Sequence, residues 1–323
     1  MINKKILIIG GTGSLGIELT NRLLNNNNIY LLSRDESKHW NLSIEYQNNP
    51  TLNFIIGDIA NKEKIQETLV RYNFEIIILA AAMKHVDRCE YSISDCMNTN
   101  LLGTKNVLDC IEINKNQLTN LETVCFISTD KACSPINVYG MTKALSESMM
   151  IEKSKFIHDI KFITVRYGNV LNSRGSIIPT LHKIGKDKSI SNYTLTHSDM
   201  TRFIMTLKES VDLILYAINN GDSGDIVVPK LKSCNIKDLI QIFSKHYSKP
   251  VFLGKLRHGE KIKEFLINNN QLLRTIETKN YYHIKPSYKS NIITNTNLNN
   301  YNSSTNILTE IKLINYINSL NLL

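Results

Sequence analysis

Ile6-Leu7-Ile8-Ile9-Gly10-Gly11-Thr12-Gly13-Ser14-Leu15-Gly16 is the stretch whose reading decides the fold. The run Lys5–Ile9 is short, branched and apolar, which reads as a buried strand. Ser14–Leu24 carries Leu15, Leu19, Leu23 and Leu24 on one face and reads as a helix. Glycines at GxxGxxG spacing join the two. Gly10 allows the tight turn, Gly13 lets the backbone approach a pyrophosphate, and Gly16 lets the helix pack closely on the strand. The helix N-terminus then offers unpaired N–H groups to phosphate. A glycine triplet alone is a weak signal, but a strand before it and a helix after it give it the context of a dinucleotide loop. Gly10, Thr12, Gly13, Ser14, Leu15 and Gly16 are therefore candidate cofactor residues.

Working outward, strands are expected at Ile29–Ser33, Thr51–Ile56, Ile76–Ala81, Thr123–Ser128 and Lys161–Tyr167, with helices at Lys62–Tyr72, Asp95–Ile113 and Tyr139–Ser154. Strands alternating with helices imply an α/β fold, a Rossmann-like doubly wound parallel sheet. Residues 168–201 hold Gly, Pro, Ser and Asn clusters and no long helix is expected there. A helix at Lys208–Asn220, a strand at Asp225–Pro229 and a helix at Ile236–His246 follow. Residues 291–306 read as a loose loop and Ile307–Leu320 as a closing helix. The expected organisation is interleaved. Residues 1–168 and about 203–228 form the dinucleotide-binding domain; 169–202 and 229–323 form a smaller C-terminal substrate domain.

A chain of 323 residues buries enough apolar surface to fold without disulfides or a structural metal. Its hydrophobic share of 42% and charged share of 21% exclude wholesale disorder. The longest apolar runs are far below the roughly 20 residues a spanning helix needs, so no membrane partner is expected. The N-terminus lacks the pattern of a signal peptide, and the cysteines form no CxxC pair. Both point to reduced thiols and a cytoplasmic location. His85 and His258 have no second ligand at metal spacing, so no metal is expected. The net charge of +9 raises a polyanion-binding reading, but the basic residues are scattered and form no nucleic-acid patch.

The ribose selector should sit at the tip of the second strand, in Ser33-Arg34-Asp35-Glu36. An Arg there accommodates the 2′-phosphate of NADP and an acid binds the diol of NAD. Ser33 and Arg34 favour NADP, while Asp35 keeps NAD open. Asp58 and Ile59 end the third strand, and Ala80, Ala81 and Ala82 end the fourth, where small residues leave room for a cofactor. Tyr139-Gly140-Met141-Thr142-Lys143 is a YxxxK pattern that puts Tyr and Lys on one helix face. A nearby ammonium lowers the Tyr pKa and makes it a usable base. The polar tip Thr129-Asp130-Lys131 follows a strand, where ligands of open α/β sheets bind.

The chain resembles the extended short-chain dehydrogenases/reductases, and more narrowly the UDP-N-acetylglucosamine 4,6-dehydratases that invert C5. The blocks that carry the resemblance are Gly10–Gly16, Ser33–Glu36, Ala81–Val86, Thr99-Asn100, Ser128–Ala132, Tyr139–Lys143, Val165–Val170, Ser173–Ser176, Met200–Phe203 and Gly259-Glu260-Lys261. They span about residues 1–290. Asp130-Lys131 carries the narrow assignment: related epimerases have small hydroxyl residues here, and the C5-retaining dehydratases have Asp-Glu. The resemblance implies cofactor contacts from Lys84, Asn100, Tyr139 and Lys143, and contacts to the nucleotide-sugar from Lys84, Asn169, Arg174, Arg202, Arg257 and Glu260. Arg257-His258-Gly259 departs from the family's Arg-Pro-Gly, which loosens the turn but keeps the charges.

The implied chemistry has three stages. Tyr139, kept ionised by Lys143, takes the O4 proton as C4 gives a hydride to NADP, with Thr129 on the 4-oxygen. Lys131, if neutral, removes the C5 proton while Asp130 protonates O6 and water leaves. The hydride returns to C6 and C5 is reprotonated on the opposite face. Which of Asp130 and Lys131 serves which transfer stays open. Alternatives are an epimerase, a C5-retaining dehydratase, or an NADP-sensing protein without catalysis. Relatives assemble through helices of the sheet domain, so a homo-oligomer is expected.

Overall fold

In the computed structural model, which describes residues 1–289, 294, 296 and 300–323, the Lys5–Ile9 run is strand β1. Ile6, Leu7, Ile8 and Ile9 are fully buried. Side chains alternate along a strand, so Ile6 and Ile8 enter the core on one face of the sheet and Leu7 and Ile9 the core on the other. Burial on both faces is why the strand reads as a continuous apolar run. Deleting one such side chain to Ala costs about 2–5 kcal/mol.

Strands β2 (Asn28–Ser33), β3 (Leu52–Ile56), β4 (Ile76–Leu79), β5 (Thr123–Ile127) and β6 (Lys161–Val165) run parallel to β1. Their order, β3-β2-β1-β4-β5-β6, is the doubly wound arrangement expected. It reverses between β1 and β4, and that reversal opens a crevice at the carboxyl ends of the strands. Among the described residues three more strands bring the sheet to nine: Ile226–Pro229, parallel to β6, then Tyr281–Ile284, antiparallel to it, and Thr275–Glu277, antiparallel to Tyr281–Ile284. A second sheet joins Asn169–Val170, Thr201–Met205 and Lys232–Asn235. The interleaving therefore runs deeper than the sequence reading. Two edge strands from within 229–323 complete the main sheet, and Thr201–Met205 belongs to the smaller one.

Helix α1 (Ser14–Leu23) follows the glycine loop as expected. Helix α2 (Glu36–Glu45) was not expected; Asp35 caps it by accepting a hydrogen bond from the Lys38 amide at 3.1 Å. A helix also spans Ile177–Lys186, where none was foreseen. Pro179 hides it in the sequence, yet Pro is tolerated in a first turn because its missing N–H has no partner there anyway. The single helix expected over Asp95–Ile113 is broken. A short helix Ile93–Cys96 passes through a π-type segment, Met97–Leu102, into the helix Gly103–Ile113. The loop expected over 291–306 lies partly outside the described residues, and within it Tyr301–Asn302 pairs with Phe265–Ile267. The closing helix is Glu310–Ser319. Among the described residues no helix is long and apolar enough to cross a membrane.

Candidate active site

One cleft of about 1430 Å³ opens over the carboxyl ends of the strands and runs from the glycine loop to the second sheet. Every site residue expected from the sequence lines it except Asn100 and Asp130.

The glycine loop is shaped by close approach. Gly10 has φ +90°, and a Cβ there would lie 2.6 Å from the Ala81 amide nitrogen. A Cβ on Gly16 would overlap the Gly11 carbonyl. Gly13 caps α1 with backbone alone, so the first N–H groups of the helix have no side-chain partner. Such a cradle, which side chains would fill, fits a pyrophosphate. Beside it Thr12 Oγ1 and Ser33 Oγ lie 3.0 Å apart, and His39 Nε2 lies 2.6 Å from Ser33 Oγ. Arg34, largely exposed, reaches Asp58 at 3.4 Å, and Asp58 also accepts from the Ala60 amide. Asp35 is committed to the α2 cap and to Lys38, so Arg34 is the freer of the two side chains read as ribose selectors.

Asn100 departs from expectation. It sits in the π-type segment, fully buried, and its amide clamps both the N–H and the C=O of Met83 at 2.8 and 2.9 Å. It holds the cleft wall instead of facing the cleft. Arg174 departs too. Expected among the sugar contacts, it lies on the glycine loop: its amide donates to Ser14 Oγ at 3.1 Å, its guanidinium to the Thr12 carbonyl, and its own carbonyl accepts from Lys84 Nζ at 2.6 Å. Burial, helped by Arg174, holds the Lys84 pKa below the usual lysine range.

The Tyr–Lys pair lies on the helix Val138–Phe156, capped by Asn137, which accepts from the Gly140 amide at 2.7 Å. Gly140 lets this helix touch the Lys131 carbonyl, which a Cβ would strike. That approach brings Tyr139 and Lys131 together. Burial pushes Tyr139 up to about 12, opposed by Lys131 and by a hydrogen bond with Thr129. Burial pulls Lys143 down to about 7, opposed by Glu147, and its ammonium stands 3.9 Å from the Phe126 ring centroid. Lys143, the ammonium expected to lower Tyr139, is not among the groups that do. In this structure Lys131 and Thr129 do so, and desolvation outweighs them.

Thr129, Asp130 and Lys131 sit at the tip of β5. Asp130 is fully buried. Its Oδ1 accepts from Thr129 Oγ1 at 3.0 Å and from Lys131 Nζ at 2.9 Å, while Oδ2 has no hydrogen-bond partner among the described residues. Burial pulls the Lys131 pKa down, but Asp130 and Glu264 more than offset it, and the net shift is upward. The neutral Lys131 invoked from the sequence is thus not its resting form. Glu264, which the sequence reading missed, is buried 3.6 Å from Lys131 Nζ. At the far end Arg202 and Arg257 converge on Glu260 at 3.9 and 2.7 Å. Burial would raise Glu260, but the two arginines, Arg257 foremost, hold it below the usual range. Asn169 lies on the short strand beside Ile204. Behind the site Arg166 grips Glu147 bidentately at 2.9 and 2.5 Å and donates to Leu266 O, tying the Tyr139 helix to the Glu264 segment.

A cleft of this composition over a doubly wound sheet defines a short-chain dehydrogenase/reductase. Within that class the chain belongs to the polysaccharide biosynthesis protein family, which matches residues 6–286. It is 39% identical over 294 residues to a UDP-glucose 4-epimerase of Rickettsia bellii, covering 88% of this chain and 83% of that one. It is 37% identical over 296 residues to an inverting UDP-N-acetylglucosamine 4,6-dehydratase of Campylobacter jejuni, covering 90% and 85%. Among solved structures, Pen from Bacillus thuringiensis superposes with a TM-score of 0.90 at 29% identity over 100% of this chain and 99% of that one. A dTDP-glucose 4,6-dehydratase from Streptomyces venezuelae, at 18% identity and TM-score 0.69 over 80% and 86%, shares the fold.

Proposed function

We propose that the chain is a UDP-N-acetylglucosamine 4,6-dehydratase that inverts C5 and uses NADP. The observation that carries this reading is the Asp130–Lys131 ion pair, 2.9 Å long with its carboxylate fully buried, at the tip of β5 and against Tyr139. The likeness to the Campylobacter jejuni dehydratase supports it. The glycine cradle would hold the pyrophosphate and Arg34 the 2′-phosphate. When bound, the dinucleotide supplies a hydride acceptor for C4 and a hydride donor for C6.

The chain's own residues handle the protons. Tyr139 takes the O4 proton, and Lys143, poised near pH 7, can take up or return a proton beside it. A C4 ketone acidifies C5–H. One proton passed from Lys131 to Asp130 turns their ion pair into a neutral amine and a carboxylic acid. Lys131 then removes the C5 proton and Asp130 delivers one to O6, so that water leaves and the ion pair is restored. Arg202 and Arg257 suit a diphosphate, whose geometry the guanidinium fork matches.

A second reading, a UDP-sugar 4-epimerase, draws on the Rickettsia relative. The purified protein, incubated with UDP-N-acetylglucosamine and no reductant, separates the two by mass spectrometry together with NMR of the sugar. Loss of one water supports the dehydratase. A C4 epimer of unchanged mass supports the epimerase and sinks the proposal.

A further inference from the structure

We infer that Glu264 is a positioning residue that sets the base strength of Lys131. This rests on the reading of Lys131 as the group that moves the C5 proton.

Glu264 is buried and lines the cleft, although no motif marks it. Its Oε1 lies 3.6 Å from Lys131 Nζ, and its Oε2 lies 3.5 Å from Lys261 Nζ. Its backbone is pinned: the amide donates to Ser303 Oγ at 3.0 Å, and the carbonyl accepts from the Ser303 amide at 2.8 Å. Lys261 is held in turn by donating to the Cys133 carbonyl at 2.9 Å. The backbone at Glu264 is thereby fixed beside Lys131, and the carboxylate spans the two ammonium groups of Lys131 and Lys261.

The groups facing Lys131 come from four elements. Asp130 and Thr129 belong to its own turn, and Tyr139 to the Val138–Phe156 helix. Arg202 stands on Thr201–Met205, and Glu264 and Lys261 lie in the segment leading into Phe265–Ile267. Asp130 alone would suffice to pair Lys131 as a static ion pair. A second buried carboxylate makes the ammonium form more favourable than one partner would. Once Lys131 has passed its proton to Asp130, it carries a free amine beside the remaining negative charge of Glu264. That charge strengthens the amine as a base toward C5–H and stabilises the ammonium that forms. Lys261 tempers the effect by sharing the same carboxylate.

Removing the charge of Glu264 should therefore make Lys131 easier to deprotonate and weaker as a base. The direct readout needs no sugar. Competitive acetylation of the whole protein at pH 9, followed by peptide mass spectrometry, reports the neutral fraction of Lys131. An opposite charge at this range shifts a pKa by at least one unit, so Glu264→Gln should raise Lys131 labelling about tenfold or more. Glu264→Asp should stay near wild type. Lys261→Met, which frees the carboxylate for Lys131, should lower labelling and so moves the opposite way. Unchanged labelling in Glu264→Gln overturns the inference; should that variant not fold, unchanged or raised labelling in Lys261→Met overturns it. The catalytic readout is C5 deuterium incorporation from D₂O. It should fall severalfold in Glu264→Gln and recover in Glu264→Asp, while NADP affinity stays constant. Equal exchange in Glu264→Gln and wild type contradicts the role. Absence of any sugar turnover in wild type would fail the dehydratase reading, and the labelling result would still decide what Glu264 does to Lys131.

Discussion

Gly140→Ala is a one-carbon change that should disable the site while leaving the fold standing. Gly140 is buried on the first turn of the helix that carries Tyr139 and Lys143. A Cβ there would strike the Lys131 carbonyl oxygen and sit 3.0 Å from its carbon and 3.1 Å from Pro135 Cβ. Carbon–oxygen contacts settle at about 3.3–3.6 Å. The helix start must therefore part from the Lys131 turn by about 1 Å. The gain in helix propensity, about 1 kcal/mol for Gly to Ala, offsets part of the overpacking cost of about 1–3 kcal/mol. Net stability should fall by no more than about 2 kcal/mol, read as a modest drop in Tm. Misplacement by 1 Å costs about 10²-fold in rate, so kcat should fall by that order. NADP affinity, measured by titration calorimetry, should hold because the glycine loop is untouched. A variant with more than half of wild-type kcat would refute the claim that close approach of this helix aligns Tyr139 with Lys131.

Arg34→Ala should weaken NADP binding by about 10- to 100-fold, the worth of a charge-assisted contact to phosphate, and leave NAD binding nearly unchanged; equal losses for both would remove Arg34 from the 2′-phosphate. Glu147→Gln strands the buried Arg166 guanidinium and should cost about 3–5 kcal/mol in urea unfolding. A loss below 1 kcal/mol would mean that the pair does not tie the helix to the Leu266 segment. Lys143 has a folded pKa near 7, below its ordinary 10.5. Between those values the unfolded chain binds the proton and the folded one does not, so stability rises with pH from about 7 to 10.5. Lys143→Met should remove that part of the rise, seen as the wild-type minus variant difference in Tm across the window. A flat difference would contradict the buried, easily deprotonated lysine.

The sheet was legible because its signal is local. Ile6–Ile9 and the glycines after it state in one stretch that a doubly buried strand meets a phosphate-binding turn. The helix Ile177–Lys186 was hidden because Pro179 and Gly185 carry loop signals that its first turn and its packing against Tyr247 override. The break at Met97–Leu102 was invisible because no local signal marks it: within it Asn100 clamps the Met83 backbone, a contact set by tertiary structure. In the site, residue types at the strand tip foretold which side chains would meet. They could not foretell charge state. Lys131 reads as a base from its position, but the structure surrounds it with Asp130 and Glu264, the second from a segment more than a hundred residues away. Arg174 misled for a related reason, since loop residues between two ligand regions can turn to either.

The most direct test is the configuration at C5. UDP-N-acetylglucosamine is turned over in D₂O with no added reductant, and the product is read by NMR. An inverting dehydratase gives a 4-keto-6-deoxy sugar with deuterium at C5 and the L-arabino geometry, and Lys131→Ala abolishes it. A product with the original C5 configuration, or full turnover by Lys131→Ala, would contradict the role given to the Asp130–Lys131 pair.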